Sequence, residues 1–174
     1  MNSYERVMTS LSFREPDRVP VAEFLIDKRV YTALMPDAED QYDFDVKFGL
    51  DVIAARAWYG IVSESGPTFT DEWGIVYTRN KEAVAHPVRP AFEDMTFLKH
   101  FRVPDPDAPE RLAGLPKIVK NHKKERAVAY GLRAMFLWAA NLVGLDNLLV
   151  YMMMEPNFVH ELLETILTSQ IRLA

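Results

Sequence analysis

The chain has no cysteine. Disulfides, thiolate metal ligands and a cysteine nucleophile are therefore excluded within its 174 residues. It also lacks an uninterrupted apolar run of the ~18 to 20 residues that a membrane helix needs. The longest candidate, 134–154, is interrupted by Asn141, Asp146 and Asn147. The charged, polar start carries no secretory leader, so the expectation is a cytoplasmic protein without a membrane partner. A concentrated basic surface is missing as well. The 20 basic and 25 acidic side chains give a net charge of -5, and the one basic run, 117–126, falls at a helix end. No nucleic-acid partner is expected from such a balance. There is no glycine-rich phosphate loop and no G-x-S-x-G elbow. The four histidines, His86, His100, His122 and His160, stand alone without a second ligand at metal-site spacing, so no metal site is expected.

What is present reads as alternating helix and strand. Asn2 and Glu5 have capping-box spacing, and Tyr4, Val7, Met8 and Leu11 follow at helical intervals. Pro16 and Pro20 end that helix, and 21–26 (VAEFLI) reads as a strand buried on both faces except at Glu23. Asp27 caps a second helix through Met35, and an acidic helical segment over 37–48 ends at Gly49. Residues 51–58 read as a second strand, and 68–78 as a β-hairpin turning near 71–74. Helical segments are expected over 92–101 and 107–124, then a third strand over 126–135. Helices over 136–143 and 145–154 break at Gly144, and Pro156 opens a last helix with a strong apolar stripe. That stripe is still periodic at Ala174, with no glycine or asparagine cap. Three buried-type strands cannot close a parallel barrel. The expectation is a single partial α/β domain over 1–174 with an open edge that wants a partner.

The pattern ERV-x3-L-x-F-x-EPDRVPV at 5–21 resembles the start of proteins of the uroporphyrinogen decarboxylase superfamily, closer to the branch of cobalamin-dependent methyltransferases. GLD at 49–51, DEWG at 71–74, HP at 86–87, the segment 101–115 and the tail 144–163 follow in the same order. The resemblance implies the N-terminal part of a (β/α)8 TIM barrel, incomplete in this chain, with its site at the C-terminal strand ends. It also implies methyl transfer between a corrinoid and a small acceptor or donor. A corrinoid and zinc are implied for a complete relative, with none bound by this chain alone. The implied partners are a small-molecule substrate or corrinoid carrier protein and a second chain completing the barrel. True decarboxylases carry RQAGRYLPEY after the first strand, where this chain has only Lys28 and Arg29 as cations. Their tetrapyrrole chemistry is the enzymatic alternative. A non-catalytic fragment or assembly module is the other. The zinc-binding His-x-Cys pair and later Cys of the methyltransferases have no counterpart in a chain without cysteine.

Six residues are expected to bind substrate, while no catalytic residue is assigned. Glu23, in its apolar strand, is a substrate or corrinoid contact, one half of a buried ion pair, or an edge position. Arg56 and Trp58, at the end of the second strand, line a pocket mouth or are a surface arginine beside a packed tryptophan. Trp73, with Asp71 and Glu72 beside it on the hairpin turn, is a ligand wall or a hydrophobic anchor. Tyr130 and Arg133 flank the end of the third strand, where barrel enzymes place polar groups. Their structural alternative is bonding to nearby loop or helix carbonyls.

Overall fold

Asn2 starts the first helix as its spacing from Glu5 predicts. Its side chain accepts from the Glu5 amide at 2.8 Å, and the Glu5 carboxylate accepts from the Asn2 amide at 3.0 Å. The structure is a computed structural model that describes residues 1–80, 84–112 and 114–174. It is a mixed α/β chain with one parallel and one antiparallel sheet, and its described strands close no barrel. The residues gather into two units, Met1–Ala57 with Leu112–Gly131, and Trp58–Arg111 with Leu132–Ala174.

The first unit holds α1 (Ser3–Leu11), α2 (Lys28–Leu34), α3 (Gln41–Phe48), β1 (Val52–Arg56), α4 (Leu115–His122) and β6 (Ala127–Gly131). Asp27 caps α2 through the Arg29 amide at 2.8 Å. Gly49 ends α3 at φ 87°, a left-handed conformation that favours glycine. β1 and β6 pair in parallel from Val52 opposite Ala127 to Arg56 opposite Gly131. Ile53, Ala55 and Ile118 form the core between this pair and α4, with Val46 and Val128 packed around them.

Two expectations are corrected in this unit. Residues 21–26 form no strand. Their backbone groups bond instead outside any ladder: Val21 N–H to the Asp51 carboxylate, Ile26 N–H to the Gln41 amide oxygen, and Phe24 C=O to the Arg56 guanidinium. A strand needs a neighbouring strand to accept those groups. Glu23 is accordingly exposed and is not the buried carboxylate expected of it. The acidic helix begins at Gln41 rather than 37, because the Asp40 side chain takes the Asp43 amide at 2.8 Å and fixes the cap there.

The second unit contains β2 (Ile61–Ser65), β3 (Thr68–Asp71), β4 (Val76–Thr78) and β5 (His86–Arg89), an antiparallel sheet in that order. It also contains α5 (Met135–Val143), α6 (Leu145–Met154) and α7 (Pro156–Leu173). The hairpin of β3 and β4 turns at 71–74 as expected. The core joins Trp73, Ile75 and Tyr77 to Trp138, Leu142, Leu148, Leu162 and Ile166. Of 92–101, only Met95–His100 coils, as a 3₁₀ helix capped by Asp94. The helix expected over 107–124 divides into a 3₁₀ turn, Pro109–Leu112, and α4. Residue 113 of that expected helix lies outside the described residues. Among the described residues no single helix is long and apolar enough to cross a membrane. α5 and α6 meet that test only together, and they bend by 103° at Gly144.

Candidate functional site

In the first unit the residues of the opening motif converge on Asp51. Its carboxylate is fully buried. Arg6 reaches it at 2.6 Å, and Arg18 holds it through two bonds at 2.8 and 3.0 Å. The Val21 amide adds a fourth at 2.9 Å. Arg6 also binds Asp17 at 2.6 and 2.9 Å. Burial alone would push the Asp51 pKa up. The bonds from Val21, Ser3, Arg6 and Arg18 outweigh it and bring the pKa down to about 2. The hydrogen bond from Arg6 holds Asp17 well below the usual carboxylate range. ERV, EPDRVP and GLD therefore build one ionic latch that ties α1 and the turn after it to the start of β1.

The C-terminal ends of β1 and β6 form the first candidate site. The Phe24 ring lies against Gly131, where a Cβ would overlap its edge. The Arg56 guanidinium sits over the same ring at 4.1 Å from its centroid and donates to the Phe24 carbonyl. Half-exposed Phe24 and exposed Arg56 together offer a flat apolar face and a cation to solvent. Tyr130, one residue before Gly131, is partly buried against the Ile53 core. Of the six expected residues, Arg56 and Tyr130 thus belong to this strand end. Glu23 adjoins Phe24 on the same exposed segment.

The second unit carries Trp58, Trp73 and Arg133. Trp73 is buried and stacks on Trp138 at 4.2 Å, which makes it a core anchor. Arg133 lies over the other ring of that stack, 4.3 Å from the Trp138 centroid, and donates to the Tyr77 hydroxyl at 3.0 Å. Asp71 caps the hairpin turn, accepting from the Trp73 and Ile75 amides at 3.0 Å each. Burial pushes its pKa up against those bonds and the one from Tyr77. Trp58 is exposed, and its carbonyl accepts from Arg111 at 2.9 Å. Arg111 is buried, grips Glu72 through both guanidinium arms and also holds the Asp105 carbonyl at 3.0 Å. Glu72 is thereby a strut between the hairpin turn and the proline-rich loop.

Sequence reasoning did not single out Arg6, Asp51, Arg111, Tyr77 or Trp138. Arg6 and Asp51 lay inside the quoted motifs, which was a usable signal. Arg111 had none, because its partner Glu72 is 39 residues away. A cleft of about 380 Å³ between α3 and α4 is lined by Asp40, Asp43, Lys117, Asn121 and His122, none of them expected as site residues. Among the described residues no three His, Cys, Asp or Glu side chains converge as metal ligands. No family model, curated protein or solved structure matches this chain.

Proposed function

We propose that this chain is the N-terminal portion of a uroporphyrinogen decarboxylase-like (β/α)8 barrel, on the side of the corrinoid-dependent methyltransferases. In a complete protein its strand ends would form one wall of the pocket. The observation that carries this reading is the end of the parallel pair, where Arg56, Phe24 and Gly131 meet. Barrel enzymes bind ligands at C-terminal strand ends. The latch around Asp51 adds support, since the motifs that carry the resemblance are the same residues that hold the pair's N-terminal end.

Phe24 and Arg56 fit a flat macrocycle bearing amide or carboxylate arms: the ring supplies an apolar face and the guanidinium donates hydrogen bonds. A corrinoid, when bound, carries the methyl group. The residues of this chain bind and orient it and exclude water from one side. Zinc does not fit the donors present, with no cysteine and four separated histidines, so no step through it is assigned to this chain. The decarboxylase alternative needs arginines for several carboxylates near 27–36. Here Arg29 is taken up by its own cap residue Asp27 at 2.5 Å.

The test is absorbance titration of the full chain with hydroxocobalamin, repeated on Arg56→Gln and Phe24→Ala. Saturable binding that weakens about tenfold in either variant is expected for loss of one stacked or charged contact. Binding that is absent, or equal in all three proteins, refutes the pocket assignment.

A further inference from the structure

Arg133 is held in the second unit by two aromatic side chains. Its guanidinium is fixed from below by Trp138, which is fully buried and backed by Trp73. From one side it is fixed by the Tyr77 hydroxyl at 3.0 Å. Tyr77 is itself buried in the core, stacked on Phe69 at 5.2 Å and hydrogen-bonded with Asp71. A guanidinium carries five donors in a planar fork, and the Tyr77 contact uses one. No carboxylate among the described residues lies within ion-pair distance of Arg133, while the nearby acid Glu72 is taken by Arg111. Asp71 accepts both turn amides on Oδ1 and is bonded with the Tyr77 hydroxyl, so it faces Arg133 through that hydroxyl and forms no ion pair with it. The remaining Arg133 nitrogens are not among the buried unpaired atoms; they reach solvent.

A guanidinium already stacked on an indole and bonded to a fixed hydroxyl, with donors to spare, has little conformational freedom left to lose when an anion arrives. That is the condition for specific rather than diffuse binding. The planar fork matches the two oxygens of a carboxylate, with the indole bed below favouring a flat group lying along it. We infer that Arg133, with Tyr77 and Trp138 as its supports, forms a binding site for a small organic carboxylate. α5 starts two residues later without a side-chain cap, and its dipole adds to the field there, but the receptor is the guanidinium. The inference stands on the second unit alone and does not depend on the corrinoid reading.

The test uses the full chain and follows tryptophan emission during titration with succinate, with inorganic phosphate, and with sodium chloride at matched ionic strength. The expected result is a saturable change with succinate that chloride does not reproduce. Arg133→Lys keeps the charge but loses the fork, and should weaken succinate binding about tenfold or more. Tyr77→Phe frees the guanidinium and should weaken it a few-fold. Arg172→Gln, a surface arginine paired with Asp107, should leave it unchanged. Near-UV circular dichroism of each variant checks that the Trp73–Trp138 stack survives. Succinate behaving as chloride does, or binding wild type and Arg133→Lys equally, overturns the inference. Saturation by phosphate without succinate overturns the carboxylate assignment.

Discussion

Asp45→Asn should stabilise the protein, with a gain that grows from about pH 4 and is full above about pH 6. Asp45 sits inside α3 with 0% exposure, and neither carboxylate oxygen has a donor in bonding geometry. Burial pushes its pKa up to about 6, and the Gln41 side chain, near but out of bonding geometry, offsets only part of that. Asp40 and Glu23 push it further up, while Arg126 pulls it down. The folded pKa lies above the unfolded value of 3.8, so the folded state binds more protons between the two. Stability therefore falls as pH rises from about 4 through about 6, and stays low above that. A rise from 3.8 to about 6 corresponds to a penalty of about 3 kcal/mol at pH 8, and well under 1 kcal/mol at pH 4. Asparagine has the shape of the protonated acid and no charge to desolvate. Urea unfolding followed by far-UV circular dichroism at pH 4 and pH 8 measures the difference. The variant should gain about 2–3 kcal/mol at pH 8 and almost nothing at pH 4. An equal gain at both pH values, or a loss at pH 8, would show that Asp45 is not held as a desolvated carboxylate.

Three further outcomes follow from the same structure. Asp51 acts in the opposite sense: its folded pKa of about 2 lies below the unfolded value, so its contribution is present above about pH 4 and lost as pH falls through about 2. Asp51→Ala leaves Arg6 buried without its inner partner and should cost about 3–5 kcal/mol in urea unfolding at pH 7, a loss that shrinks in acid. Glu72→Ala likewise strips the acid from buried Arg111 and should cost about 3 kcal/mol, read by the same assay. Gly131→Ala drives a methyl into the Phe24 ring and should cost about 1–3 kcal/mol, with Phe24→Ala in the same chain recovering most of it in a double-mutant cycle.

Local chemistry was legible in the sequence where it is complete within a few residues. The Asn2–Glu5 box, the Asp27 cap, the Gly49 stop, the Gly144 break and the hairpin at 71–74 all depend on neighbours close in the chain. Strand 21–26 was misread because an apolar β-prone run marks only a preference, whereas a strand exists only with a ladder partner beside it. β2 escaped notice because every residue from Ile61 to Ser65 is exposed and no burial alternation marks it. β5 carries Pro87, which speaks against a strand interior and is tolerated at the sheet edge that β5 occupies. Among the expected site residues, Arg56 and Arg133 were marked in the sequence by their place at a strand end. Their aromatic supports, Phe24 and Trp138, were not, because stacking is set by tertiary packing. The Asp51 latch spans 45 residues to Arg6 and 33 to Arg18, beyond anything periodicity reports.

The most direct test of the functional account is a head-to-head absorbance titration of the full chain with hydroxocobalamin and with coproporphyrin at one ionic strength. The account predicts saturable corrinoid binding, weakened in Arg56→Gln and tighter than that of the porphyrin. Tighter porphyrin binding would move the chain to the decarboxylase branch. Saturation by neither macrocycle would contradict the proposed pocket at the ends of β1 and β6.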